Sequence, residues 1–177
     1  RQYGDSLGQV NALTNLGYSE VLQARQIENS EPEIYERAIE YLQQGLSLAE
    51  KLSEGQSKAL CYSSLGIAYV ILERPQAAIK YLEKGLESAR FSGDLYLQGI
   101  NLTYLAEAYY QNKNLANSII NGCLAMYLLD QIGASEWRQS AGLIIIIRGK
   151  EGENYNKILQ EVRAAIIAVI GVDGYDY

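Results

Sequence analysis

Residues 38–49 read AIEYLQQGLSLA and residues 78–89 read AIKYLEKGLESA. Seven of the twelve positions are identical at an offset of 40: Ala38/Ala78, Ile39/Ile79, Tyr41/Tyr81, Leu42/Leu82, Gly45/Gly85, Leu46/Leu86 and Ala49/Ala89. The same offset carries Leu65, Ala68 and Tyr69 onto Leu105, Ala108 and Tyr109, and Gly93 onto Gly133. It continues more faintly from Ser118-Ile119 to Ile158-Leu159. An offset of 49 takes Leu16-Gly17 to Leu65-Gly66, so a first unit holds about nine extra residues between Gly17 and Ala38. A fixed period of this length marks stacked supersecondary units, because each leaves an apolar face that only a neighbour can cover.

Apolar residues within each unit recur at spacings of three and four, as at Leu65, Ala68, Tyr69 and Leu72. That spacing predicts helices with one buried stripe. First helices are expected near 8–25, 56–72, 96–112 and 136–150, and second helices near 31–53, 75–91, 115–131 and 154–170. Pro75 suits a first helical turn, where its missing N–H is not needed. Ser30 and Glu33, with Pro32 between them, have capping-box spacing. Gly55, Gly93 and Gly133 fall where helices should end, and Asn112 and Asn114 flank a turn. Gly45 and Gly85, inside second helices, each cost about 1 kcal/mol relative to Ala. They are expected where an adjacent backbone comes close. Leu, Ala, Tyr and Gly at the repeated positions read as packing residues.

The fold class predicted is therefore all-α, an α-solenoid of antiparallel helix pairs with about eight helices. Residues 1–177 are expected to form one domain, with units near 8–53, 56–93, 96–133 and 136–170. The chain opens at Arg1 without Met, which reads as part of a longer protein.

Composition narrows the function classes. Fifteen basic against twenty-one acidic residues give a net charge of −6. A nucleic-acid backbone needs a concentrated basic surface, and an anionic membrane likewise, so neither is an expected partner. The longest apolar run, Leu143 to Ile147, is far too short to span a bilayer. Cys61 and Cys123 are too few and too far apart for a disulfide framework, and each reads as a small buried hydrophobe. A cytoplasmic location is the expectation.

Catalytic machinery is not evident. The sequence has no His, which removes His-based triads and the common His metal sites. Gly149-Lys150-Glu151 lacks the glycine spacing and the hydroxyl of a phosphate loop. No cysteine pair has metal-ligand spacing. Asp173 and Asp176 read as solvated carboxylates. No catalytic residue, metal site or cofactor is predicted, and the chain is expected not to be an enzyme.

The repeated positions resemble the tetratricopeptide repeat. That pattern has a large residue followed by Leu-Gly, a Tyr three residues on, and a small residue, a Leu or aromatic and another small residue in the second helix. The second unit supplies Tyr62, Leu65, Gly66, Tyr69, Ala78, Leu82 and Gly85. The third supplies Leu102, Leu105, Ala106, Tyr109, Ser118, Gly122 and Ala125. The first supplies Leu13, Leu16, Gly17, Ala38, Leu42 and Gly45, with Glu20 where Tyr is expected. The fourth is degenerate, with Ile145, Ile146, Gly149, Ile158, Val162 and Ala165. A period of 40 rather than 34 resembles the long-repeat subclass of kinesin light chains, spindle-orientation adaptors and many bacterial multi-repeat proteins.

The resemblance implies a right-handed solenoid whose first helices line a concave surface that receives a peptide or a helix. Carried over residue by residue, the partner-binding groove is Asn11, Thr14 and Tyr18 in unit one, and Ser63, Ile67 and Val70 in unit two. Unit three adds Thr103, Glu107, Tyr110 and Gln111. The strip is neutral and partly apolar, and Tyr offers a flat face and a hydroxyl. Family members that bind acidic chaperone tails use cations in the groove. None stands at these positions, so such a tail is not the expected ligand. The acidic stretch with Glu28, Glu31, Glu33 and Glu36 reads as a solvated, helix-capping segment.

Unit four is the least polar part of the chain. Ile144 to Ile147 are consecutive, and the second helix carries Ile158, Leu159, Val162, Ile166, Ile167, Val169 and Ile170. Those residues cover more than one helical stripe. Continuing chain or a homodimer is expected to cover the remainder, with Ile147, Ile166, Val169 and Ile170 as self-association candidates. The functional expectation is a non-enzymatic adaptor or scaffold that binds a protein or peptide. The alternative is a peptide-sensing domain that controls an attached effector.

Overall fold

The computed structural model describes residues 2–26, 32–52 and 55–171, and the side chains of 6–24, 33–52 and 55–171. The described residues form eight α-helices and no strand. They are α1 (Gln2–Gln26), α2 (Pro32–Leu52), α3 (Gly55–Ile71), α4 (Pro75–Ser92), α5 (Leu95–Gln111), α6 (Leu115–Gln131), α7 (Trp137–Glu151) and α8 (Glu153–Ile170). The fold is all-α, as the periodicity predicts. Contacts group the helices into two compact halves, α1–α4 and α5–α8, divided between Gly93 and Asp94.

The period is visible in the backbone. Helices α3 and α5 start at Gly55 and Leu95, and α4 and α6 at Pro75 and Leu115, forty residues apart in both cases. The turns between them repeat bond by bond. Leu72, Glu73 and Arg74 donate their N–H groups to the carbonyls of Ala68, Val70 and Tyr69. Asn112, Lys113 and Asn114 donate to Ala108, Tyr110 and Tyr109. Glu73 and Lys113, the middle residues, both have left-handed φ, 53° and 61°.

Helix ends follow local chemistry. Pro75 occupies the first turn of α4, and Gly93 closes that helix with φ 72°, a conformation that glycine adopts without a Cβ clash. The Asn114 side chain caps α6 by accepting from Asn117 N–H at 3.1 Å. Asp94, which the sequence reading passed over, caps α5 by accepting from Leu97 N–H at 2.9 Å. Gly55, expected at a helix end, instead opens α3. The Ser30–Glu33 capping box lies partly outside the described residues, as do Glu28, Glu31, Asp173 and Asp176. Helix α1 starts at Gln2 rather than near residue 8, and it continues from Gly17 to Gln26, whereas α3 stops at Ile71 after Gly66. Part of the nine-residue excess is thus extra helix.

Each of the first three pairs closes through small residues on one helix and leucines on the other. In the N-terminal half, a Cβ added to Gly17 would meet Leu42 Cγ at 2.7 Å and the Ala38 carbonyl at 2.8 Å. One added to Gly66 would fall within the Leu82 side chain. Leu42, Leu65 and Leu82 are fully buried. Tyr69 stacks on Tyr81 with ring centroids 5.5 Å apart. Unit one has Glu20 in place of that tyrosine, and Arg37 of α2 answers it with an ion pair at 3.1 Å. The Arg37 guanidinium is held above its ordinary pKa, first by this hydrogen bond and then by the Glu20 charge. In the C-terminal half, Ser118 of α6 donates to the Ala106 carbonyl of α5 at 2.7 Å. No described helix is long and apolar enough to cross a membrane.

Candidate protein-interaction surface

Helices α1 and α3 lie side by side in the N-terminal half, and small polar residues set their contact. Thr14 on α1 donates its hydroxyl to the Val10 carbonyl at 2.8 Å. Its Oγ1 is therefore left to accept from the Cys61 thiol of α3, 3.0 Å away. Ser57 donates to Asn11 Oδ1 at 3.3 Å. Gly45 of α2 backs onto the contact, where an added Cβ would lie 3.2 Å from Thr14 Oγ1 and 3.5 Å from Cys61 Sγ. Side-chain atoms of the neighbouring helices, not the expected adjacent backbone, are what come close to this glycine.

Next to this contact a cleft of about 230 Å³ opens to solvent, lined by Leu7, Asn11, Gln56, Ser57 and Leu60. Asn11 and Gln56 are exposed, Leu60 is exposed and Leu7 half-buried. Two amides and two leucines thus line the same cleft. Side-chain amides both donate and accept, so they can pair with the N–H and C=O of an extended backbone while the leucines take its apolar side chains.

The expected groove residues divide by burial. Asn11 lines the cleft, and Tyr18 is half-buried further along α1. Thr14, Ser63, Ile67 and Val70 are all at most 2% exposed, and the Ser63 hydroxyl bonds the Ala59 carbonyl at 2.9 Å. A partner laid on this face does not reach those four side chains as they stand. Leu7, Gln56, Ser57 and Leu60 were missed by the sequence reading.

The C-terminal half repeats the arrangement at its own first helices. Thr103 of α5 is buried and donates to the Gly99 carbonyl at 3.0 Å, leaving Ser140 of α7, 2.9 Å away, to donate to it. Glu107, Tyr110 and Gln111 are half-buried along the last turns of α5. Lys150 of α7 places its ammonium 5.6 Å from the Tyr110 ring centroid. The expected strip had no cation, and the fold brings this one to its tyrosine.

The self-association candidates need correction. Ile147 and Ile166 are 0% and 1% exposed and form a core cluster with Ile119, Tyr155 and Val162. Packing within the half consumes them, so they are not available to a second molecule. Ile170 is partly buried against the same cluster. Val169 is 67% exposed, and so are Ile145 at 69% and Ile146 at 51%, which were not on the expected list.

Neither cysteine is activated. Burial pushes the Cys61 thiol up and pushes Cys123 up to about 11. Among the described residues no three His, Cys, Asp or Glu side chains are grouped closely enough to hold a metal ion.

Paired helices at a forty-residue period, closed by glycine and leucine, define a helical-repeat protein with an accessible cleft between successive first helices. Residues 35–90, which run from α2 into α4, match the tetratricopeptide repeat model. No curated protein matches the chain.

Proposed function

We propose that this chain is a non-enzymatic adaptor module that holds an extended peptide or a helix of another protein along its first helices. Tetratricopeptide repeats generally mediate protein–protein interaction, and residues 35–90 match that family. The observation that carries the reading is the α1/α3 cleft, which exposed Asn11 and Gln56 line together with Leu7 and Leu60. Its chemistry suits a neutral segment with apolar side chains at alternate positions, with Tyr18 as a contact further along α1.

The cleft has two leucines and no charged lining residue. An acidic chaperone tail is therefore not the ligand. Selection of linear peptides from a displayed library on the folded chain tests the reading. Enriched peptides should share apolar residues, and Leu60→Glu should abolish their capture. Enrichment that Leu60→Glu leaves intact contradicts it.

A further inference from the structure

The fourth helix pair is open. In the C-terminal half, Leu102, Leu105 and Ala106 of α5 are buried, and Ser118 and Gly122 of α6 lie against Ala106. The residues forty positions later on α7 are Gly142, Ile145 and Ile146. Helix α8 should cover these in turn. Instead its buried stripe of Tyr155, Val162 and Ile166 packs with Ile119 of α6 and Ile147 on the opposite side of α7. Ile145 and Ile146 are left mostly exposed, and a Cβ on Gly142 or on Gly149 would meet nothing within 4 Å.

One face of α7 thus carries Arg138, Gly142, Ile145 and Gly149 at spacings of four, three and four, with Ile146 and Arg148 beside them. Both arginines are exposed. The nearest carboxylates along the helix are engaged elsewhere: Glu136 accepts from the Tyr96 hydroxyl at 2.8 Å, and Glu151 from the Asn154 amide at 2.9 Å. A cationic, apolar face therefore stands on a chain of net charge −6.

We propose that this face of α7 seats an amphipathic helix of a partner protein, with apolar residues over Gly142 and Gly149 and acidic residues beside Arg138 and Arg148. The two glycines sit two turns apart and let side chains of an incoming helix approach the backbone. Charge selects the occupant. A second copy docking through the same face sets arginine against arginine whether the two α7 helices run parallel or antiparallel, and like charges at an interface are unfavourable. Two arginines are also too few to hold an anionic bilayer. This seat is separate from the α1/α3 cleft and does not depend on it.

The test uses the full chain and a fluorescein-labelled helical peptide of about 18 residues, five turns, with leucines on one stripe and Glu on its flanks. A second peptide replaces each Glu by Lys. Fluorescence anisotropy should show the Glu peptide binding at least roughly tenfold more tightly. Arg148→Glu should reverse that preference, and Ile145→Asp should weaken the Glu peptide roughly tenfold with an unchanged circular dichroism spectrum. Leu60→Glu should have no effect, which separates this seat from the cleft. Equal binding of the two peptides overturns the proposal, as does wild-type affinity in both α7 variants. A dimer in sedimentation velocity that Ile145→Asp dissolves also overturns it, by naming a second copy as the occupant.

Discussion

Leu82 of α4 lies directly on the backbone of Gly66 in α3, in space that any Cβ at position 66 would occupy. Leu82 is fully buried, and Gly66 is buried with it. The same relation holds between Leu42 and Gly17 in the preceding pair. These contacts explain why the repeat keeps glycine in the middle of a helix, where it costs about 1 kcal/mol relative to alanine.

Gly66→Ala therefore sets two effects against each other. Helix propensity favours alanine by about 1 kcal/mol. Overpacking against Leu82 costs typically 1–3 kcal/mol, because the clash involves a branched carbon near its own backbone and not a flexible chain end. The net expectation is a loss of about 1 kcal/mol, read as a lower urea midpoint at unchanged slope. Gly142→Ala meets open space and should stabilise its helix by several tenths of a kcal/mol. Equal effects at the two glycines would remove the packing explanation.

The Glu136 carboxyl is held below its ordinary pKa, chiefly because the Tyr96 hydroxyl donates to it at 2.8 Å. A depressed carboxylate contributes stability that is present above its unfolded pKa and is lost as pH falls through the folded value. Tyr96→Phe should move the Glu136 titration up towards the ordinary value, measured by NMR of the side-chain carbonyl. It should also shrink the part of acid destabilisation that sets in below about pH 4.5. An unmoved titration contradicts the assignment of Tyr96 as the cause.

Cys123, with its thiol pushed up to about 11 by burial, should resist alkylation. At pH 8 its thiolate fraction is roughly two orders of magnitude below that of a free cysteine with pKa near 8.5. Iodoacetamide labelling followed by mass spectrometry should be slow in the native chain and fast in urea. Rapid native labelling would show that the site is open.

Much of this fold is legible in the sequence because its packing is local and repeated. Leu-Gly at 65–66 and Ala-x-x-x-Leu at 78–82 are two sides of one contact, so the period marks both helices of a pair. Pro75, Gly93 and Asn114 mark boundaries because each satisfies or removes a backbone donor or acceptor at a fixed place. Asp94 also carries a signal, standing as an N-cap residue type just before an apolar helix. The candidate surface was less legible. Thr14 and Thr103 occupy positions that the family pattern assigns to the groove, but here those small hydroxyls bridge neighbouring first helices. Leu7 stands before the repeat unit as drawn from periodicity, because α1 starts earlier than the repeat requires. Uncovered apolar surface in unit four was legible in its isoleucines, but its place at Ile145 and Ile146 of α7 was not, because that depends on where α8 packs.

In the proposed function, the cleft between α1 and α3 binds a neutral peptide through Asn11, Gln56, Leu7 and Leu60. Isothermal titration of one library-selected peptide into the wild-type chain, Leu60→Glu and Asn11→Ala tests it most directly. Micromolar binding to wild type is expected, with none to Leu60→Glu and about a tenfold loss for Asn11→Ala, which corresponds to about 1.4 kcal/mol. Wild-type affinity in both variants, with folding intact, would contradict it.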